Sequence, residues 1–377
     1  MSLALTEDQQ LLKDSAHGFF ADKAGVANLR ANREARRPYD EALWAEIVAM
    51  GFPGALIPEA HGGSAMGFRA MGTVLEAAGR TLAASPLLQT GLVGASAFMI
   101  AGEPAERDAY LGKIAAGEIT VALAVDEGAH HDPVKIALAA TRTASGWSLS
   151  GTKRFVADGG TANLLIVAAR TAGQSGDAHG VTLFYVDARA PGVTRRPLAA
   201  VDSRGYADIH FDAVAVDGGQ ILGIIDEGMA PLERLLDVAR IGVAAEMLGA
   251  IDSAFEMTMD YLKTRTQFGQ LIGSFQALQH RAAKMLVEIE LTRSCIVAAL
   301  DALDNGANDI REWASLAKAR AADTLHLVSN ETVQMHGGIG MTDQHDAGLY
   351  LKRARVQEAL YGSASFHRDR YARLMGL

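Results

Sequence analysis

The chain has 377 residues, with 35 Lys and Arg against 44 Asp and Glu, a formal net charge of −9. Apolar residues make up 49% and charged residues 21%, a balance that excludes a disordered chain, and the acidic charge excludes the basic footprint of a general nucleic-acid binder. The one cysteine, Cys295, excludes an internal disulfide framework and argues against a Cys-based zinc site.

The length predicts two or three domains at roughly 100–200 residues each. The start, Met1-Ser2-Leu3-Ala4-Leu5, lacks the basic stretch and apolar core of a signal peptide. Residues 81–102 are uncharged, but Ser85, Pro86, Gln89, Thr90, Gly91, Gly94 and Ser96 dilute them, so a buried helix is expected rather than a membrane span. A cytoplasmic protein with no membrane or nucleic-acid partner is the expectation.

Up to about residue 118 the pattern is helical. Thr6 followed three residues later by Gln9 is a capping-box signature for a helix carrying Leu11, Leu12, Ala16, Phe19 and Phe20. A second helical stretch, 39–50, ends at Gly51, and the prolines and glycines of 51–59 force a loop. From 119 to about 222 the period shifts toward two, with short strand candidates at 121–125, 147–150, 155–156, 164–168, 181–186, 193–196 and 209–211. Turn chemistry such as Asp158-Gly159-Gly160 and Ala190-Pro191-Gly192 separates them, which suggests a compact β domain or barrel. From 223 the chain is helical again, with amphipathic runs at 232–262, 275–303 and 310–335 that read as an antiparallel bundle. The expectation is an α+β multidomain protein divided 1–118, 119–222 and 223–377.

Four strings are more specific. Arg265-Thr266-Gln267-Phe268-Gly269, followed by Ser274-Phe275, places an Arg beside an aromatic between two long helices, where a guanidinium can meet a diphosphate and a ring can cover a flat ligand. Gln334-Met335-His336-Gly337-Gly338-Ile339-Gly340 sets three glycines directly after a helix. Leu56-Ile57-Pro58-Glu59-Ala60-His61-Gly62-Gly63 and Gly151-Thr152-Lys153-Arg154-Phe155-Val156 complete the set. Each is weak alone, since a glycine cluster is commonly a helix cap and a loop Arg is commonly solvated. Together, in this order and spacing, they resemble the acyl-CoA dehydrogenase family over nearly the whole chain.

The resemblance implies an N-terminal helical domain, a central β domain, a C-terminal four-helix bundle, and FAD bound at a subunit interface of a dimer or tetramer. It implies that Arg265, Gln267 and Phe268, with Phe275 nearby, hold the diphosphate and adenine side. Gln334, Gly337 and Gly338 would contact the adenosine part of a neighbouring subunit's FAD. It also implies an acyl-CoA substrate, electron-transfer flavoprotein as electron acceptor, and Arg240 near the acyl-CoA channel; an ion pair with Asp237 or Glu233 is the other reading of Arg240.

Such enzymes form a 2,3-enoyl-CoA: a carboxylate takes the α-proton and a hydride leaves the β-carbon for the flavin. Here the pattern departs. The family's Y-E-G-T base string matches Leu360-Tyr361-Gly362-Ser363, with Tyr361 in the glutamate position, and a phenol of ordinary pKa about 10 is a poor base. A second branch places the base one residue before the Arg matched by Arg240, where this chain has Ala239. Glu246, seven residues further and about 10 Å along the same helix, is the nearest carboxylate on that face and becomes the candidate base. Its other reading is a pair with a basic side chain of another helix. On the flavin-ring side Val125 and Ala157 replace the family's threonines, while Phe155 could stack on the ring. His130-His131, without a spaced partner, does not make a metal site.

Three functions follow. One is a working dehydrogenase with Glu246 as base and a bulky or branched acyl-CoA. Another is a non-catalytic partner in a heteromeric assembly, lending adenosine-side contacts. A third is a flavin oxidase or monooxygenase on the same fold.

Overall fold

The computed structural model describes residues 4–377. The architecture is α+β, with an N-terminal helical part, a central β domain and a C-terminal helical part. The chain forms two compact units stitched from separate segments. One joins the N-terminal residues up to Arg30, Phe68–Ala83 and Arg240–Leu377; the other joins Ala31–Gly67 and Ala84–Ala239.

In the first unit, helix α1 (Glu7–Lys23) opens on the expected capping box: Gln9 N donates to Thr6 Oγ1 at 3.2 Å and Thr6 N to Gln9 Oε1 at 3.1 Å. Helix α4 (Gly67–Arg80) is capped from a distance, with Phe68 N and Arg69 N donating to the Asp304 carboxylate at 2.6 and 2.8 Å. Helices α7 (Met229–Thr264), α8 (Gln276–Asp304) and α9 (Ile310–His336) are the three long apolar runs of the sequence. Helices α10 (Ala347–Ala359) and α11 (Ala364–Leu374) also pack on α9 and lack a periodic apolar stripe strong enough to announce them. Alanines 314, 317, 319, 321 and 322 of α9 are buried, which lets neighbouring backbones come close.

The second unit holds one eight-stranded sheet. Its strands are β1 (Val121–Ala124), β2 (Ala139–Arg142), β3 (Gly146–Val156), β4 (Leu164–Arg170), β5 (Val181–Asp187), β6 (Val193–Pro197), β7 (Ala207–Asp217) and β8 (Ile221–Leu222). Their order is β6-β7-β3-β2-β4-β5-β8, with β1 parallel to β4. The path ends on β6 and β8, so the sheet is open rather than a closed barrel. The two predicted strands 147–150 and 155–156 are one long strand whose register against β7 shifts twice, between Leu149 and Gly151 and between Lys153 and Val156. Those bulges interrupted the alternation that sequence reading relies on. The uncharged stretch 81–102 is helical only from Leu88, as π-type turns over Leu88–Gly94 that pass into α5 (Ala95–Ala101). Its polar residues have work there: Thr90 Oγ1 accepts from Val121 N at 3.0 Å, and Gly94 leaves room for the Val121 side chain. No helix among the described residues is long and apolar enough to cross a membrane.

Candidate active site

The site residues fall in both units and are taken unit by unit. In the first, Arg265–Leu271 forms a β-hairpin, β9 (Thr266–Gln267) with β10 (Gln270–Leu271). Phe268 at φ +54° and Gly269 at φ +78° make its two-residue turn, a left-handed pair that the right-handed strand twist favours. Phe268 is 91% exposed and meets Phe275 edge-on at 6.1 Å. Arg265 is exposed, and its guanidinium makes no ion pair with any described residue. A free guanidinium beside an unburied ring is a surface left for a ligand or another chain.

The second string ends α9. Gln334, Gly337 and Gly338 are exposed, while His336 is buried. The three glycines have three reasons. Gly337 takes φ +63°; Gly340 lies where a Cβ would press on Val333 O; Gly338 faces open space. His336 Nδ1 donates to Thr332 O at 2.7 Å, and its ring lies 4.4 Å from Tyr261 and 4.3 Å from His345. Burial pushes its pKa down, which fits a neutral imidazole. Tyr261, four residues before Arg265, thus joins the end of α7 to the end of α9.

Glu246 is buried, and Arg353 of α10 donates from Nη2 to its Oε1 at 2.8 Å, with both side chains 8% exposed. That is the second reading of Glu246, the pair with a basic side chain of another helix. A cavity of about 600 Å³ between α1, α4, α7 and α8 is lined by Arg69, Glu76, Glu290 and Arg293 among others, and Glu246 is not on its wall. Arg240 is fully buried; its Nε donates to Tyr361 O at 3.3 Å and its guanidinium carbon lies 5.6 Å from the Phe366 ring centre. Tyr361, where the family's base would stand, is buried at φ +56°, a conformation costly for a non-glycine residue.

In the second unit, Val125 is buried and offers only backbone polar groups. The loop after it is braced from beneath. The fully buried Lys153 donates to Val125 O at 2.9 Å and to Glu127 Oε1 at 2.6 Å, and Glu127 also accepts from Ala137 N and Leu138 N. Burial pushes the Lys153 pKa down and Glu127 draws it back up. His131 Nδ1 lies 2.9 Å from the Asp126 carboxylate and braces the same loop. Among the described residues no three His, Cys, Asp or Glu cluster as a metal site. Phe155 sits on the second bulge of β3 at φ +50°, is 40% exposed, and stacks on Tyr206 at 4.5 Å and 17°.

Sequence reading missed Arg353, Glu127 as the partner of Lys153, and Lys318. Lys318 lies between Ala317 and Ala319, and that interruption was the available signal; Arg353 and Glu127 lie in charged surroundings that gave none.

Comparison with known proteins gives three family models in chain order. The acyl-CoA dehydrogenase N-terminal domain matches residues 6–118, the middle domain 122–214 and the C-terminal domain 226–376. The chain belongs to the acyl-CoA dehydrogenase family. It is 30% identical to acyl-CoA dehydrogenase IpdE2 of Mycobacterium tuberculosis over 95% of this chain and 94% of that one. Among solved structures it is similar to the Tcur3481–Tcur3483 steroid ACAD (33% identity, TM-score 0.89, 98% of both chains). It is also similar to butyryl-CoA dehydrogenase of Megasphaera elsdenii (26% identity, TM-score 0.94, 100% of both chains). Members of this family depend on FAD, and the free Arg265, exposed Phe268 and open Gly338 fit its diphosphate and adenosine side.

Proposed function

We propose that this chain is the partner subunit of a heteromeric acyl-CoA dehydrogenase acting on a bulky acyl-CoA, with electron-transfer flavoprotein as acceptor. The observation that carries the reading is the commitment of Glu246 to Arg353, together with Tyr361 in the base position. A general base must reach the proton it removes, within hydrogen-bond distance or through one water. Glu246 Oε1 is instead engaged by the Arg353 guanidinium at 2.8 Å. The similarity to a steroid ACAD named for two gene products supports both the partner role and the bulky substrate.

In this role Arg265, Gln267, Phe268, Phe275, Gln334, Gly337 and Gly338 would hold the diphosphate and adenosine side of FAD. Bound, FAD supplies the hydride acceptor. Arg240 shapes the turn around Tyr361 rather than meeting a thioester directly, since no part of it is exposed. Phe155 and the braced loop of Val125–Asp132 would contribute an aromatic face and backbone donors.

The second reading keeps Glu246 as base in a self-sufficient dehydrogenase, and its burial in an apolar helix run favours it. A visible spectrum separates the two. Purified by itself, the chain is expected to be colourless and to gain FAD on co-expression with a catalytic family member. A yellow homo-oligomer that bleaches with butyryl-CoA or a steroid acyl-CoA overturns the partner role.

A further inference from the structure

Three observations meet on α9. Lys318 is fully buried in an alanine-rich face, and its ammonium donates to three backbone carbonyls: Gln357 O at 3.0 Å, Glu358 O at 3.3 Å and Gly362 O at 3.1 Å. An ammonium has three donors, so the charged form fills all three contacts and the neutral amine leaves one carbonyl without its partner. Those carbonyls flank Leu360 and Tyr361, where α10 ends and the chain turns into α11. Tyr361 at φ +56° and Gly362 at φ +111° both leave the usual backbone regions. The Tyr361 carbonyl is itself taken by Arg240 Nε at 3.3 Å and His367 Nε2 at 3.1 Å. Sparsely populated backbone persists only where its surroundings over-determine it, and here two buried cations and a buried imidazole do so.

We propose that Lys318 is the positioning residue of the 360–363 turn: its ammonium holds Tyr361 in place through the Gln357, Glu358 and Gly362 carbonyls. The clamp rests on this geometry alone. Its bearing on substrate rests on the family reading, which puts this turn at the acyl-CoA site.

Burial pushes the Lys318 pKa down to about 7; Glu358 pulls it up and Arg240 pushes it further down. Around it, Glu358 is engaged by Arg355 and His326. On α11, His367 shares the Tyr361 carbonyl and Arg370 donates to Arg311 O and Ser315 Oγ. Arg368 pairs with Asp323, and on the α8 side Arg320 of α9 pairs with Glu288.

Hydrogen exchange of the full-length protein, read on peptides spanning 357–363, supplies the test. At pH 6 the wild-type turn is expected to be about tenfold or more better protected than that of Lys318→Met, the effect of one charge-assisted hydrogen bond, and Lys318→Arg, which keeps charged donors, is expected to recover part of that protection. Equal protection in wild type and Lys318→Met, or in Lys318→Arg and Lys318→Met, overturns the clamp. Butyryl-CoA affinity of the FAD-loaded assembly is expected to weaken by a similar factor in Lys318→Met. A turn loosened in that variant while affinity stays constant keeps the clamp and overturns the placement of the turn at the acyl-CoA site.

Discussion

An ionised side chain removed from water needs a partner, and Glu246 and Lys318 find theirs differently. Glu246 meets an opposite charge, so removing either member leaves the other buried and uncompensated, a loss of about 3–5 kcal/mol. Glu246→Ala is therefore expected to lower the melting temperature strongly in calorimetry, and Glu246→Gln, which can still accept from Arg353, less so. Turnover of the FAD-loaded assembly is expected to survive in Glu246→Gln. A variant of normal stability and flavin content that has lost turnover would restore Glu246 as the base. Lys318 meets only carbonyls, and its pKa near 7 lies below the ordinary lysine value of 10.5. The unfolded chain therefore holds more protons between pH 7 and 10.5, and global stability rises with pH across that window, by up to a few kcal/mol. Denaturant titrations at pH 7 and 10 check this: the slope is expected in wild type and absent in Lys318→Met.

At the scale of elements, two glycines with the same symbol do opposite things. Gly79 on α4 and Gly249 on α7 sit in reciprocal contact, where a Cβ on Gly79 would strike Glu246 O and one on Gly249 would strike Glu76 O. Backbone against backbone cannot yield, so Gly249→Ala is expected to destabilise by about 1–3 kcal/mol or more. Gly338 has nothing within 4 Å and no left-handed φ, so Gly338→Ala is expected to leave the melting temperature unchanged. If FAD adenosine lies over that turn, the same variant loses FAD during gel filtration of the assembly, and unchanged retention counts against Gly338 as a contact. The long helices and most strands were legible because their periodicity and stop residues are local, as with Thr6 and Gln9 or Asp304-Asn305-Gly306 after α8; α10 and α11 were not. Strand β2, the merging of β3 across its bulges and the π-type turns of Leu88–Gly94 were not, since each depends on neighbours distant in the chain. The site strings were legible as types of residue. Their partners, Arg353 for Glu246 and the carbonyls around Lys318, are long-range contacts that no local pattern encodes.

For the molecule as a whole, the order of composition along the chain gives three zones, whereas packing makes two compact units. Helix α4 belongs by sequence to the N-terminal zone and by contact to the C-terminal helices, through the Asp304 cap and the Gly79–Gly249 approach. That unit also leaves apolar groups in water: Val287 and Leu291, one turn apart on α8, are 58% and 51% exposed, with Leu286 at 48% and Phe268 on the hairpin at 91%. A stripe of this kind costs about 25 cal/mol for each Å² left in contact with water, and tetramers are typical of the family, so we propose another subunit as its cover. The double substitution of Asp for Val287 and Leu291 places two charges where that cover would close, and a charge desolvated without a partner is far costlier than the apolar contact it replaces. Light scattering is expected to show the assembly falling to a smaller species while circular dichroism of the helices is retained. FAD retention discriminates further. It is expected to drop with the assembly, because the Arg265 and Gln334 strings would serve a cofactor shared between chains; FAD held undiminished by the dissociated chain would place the whole cofactor site within one subunit.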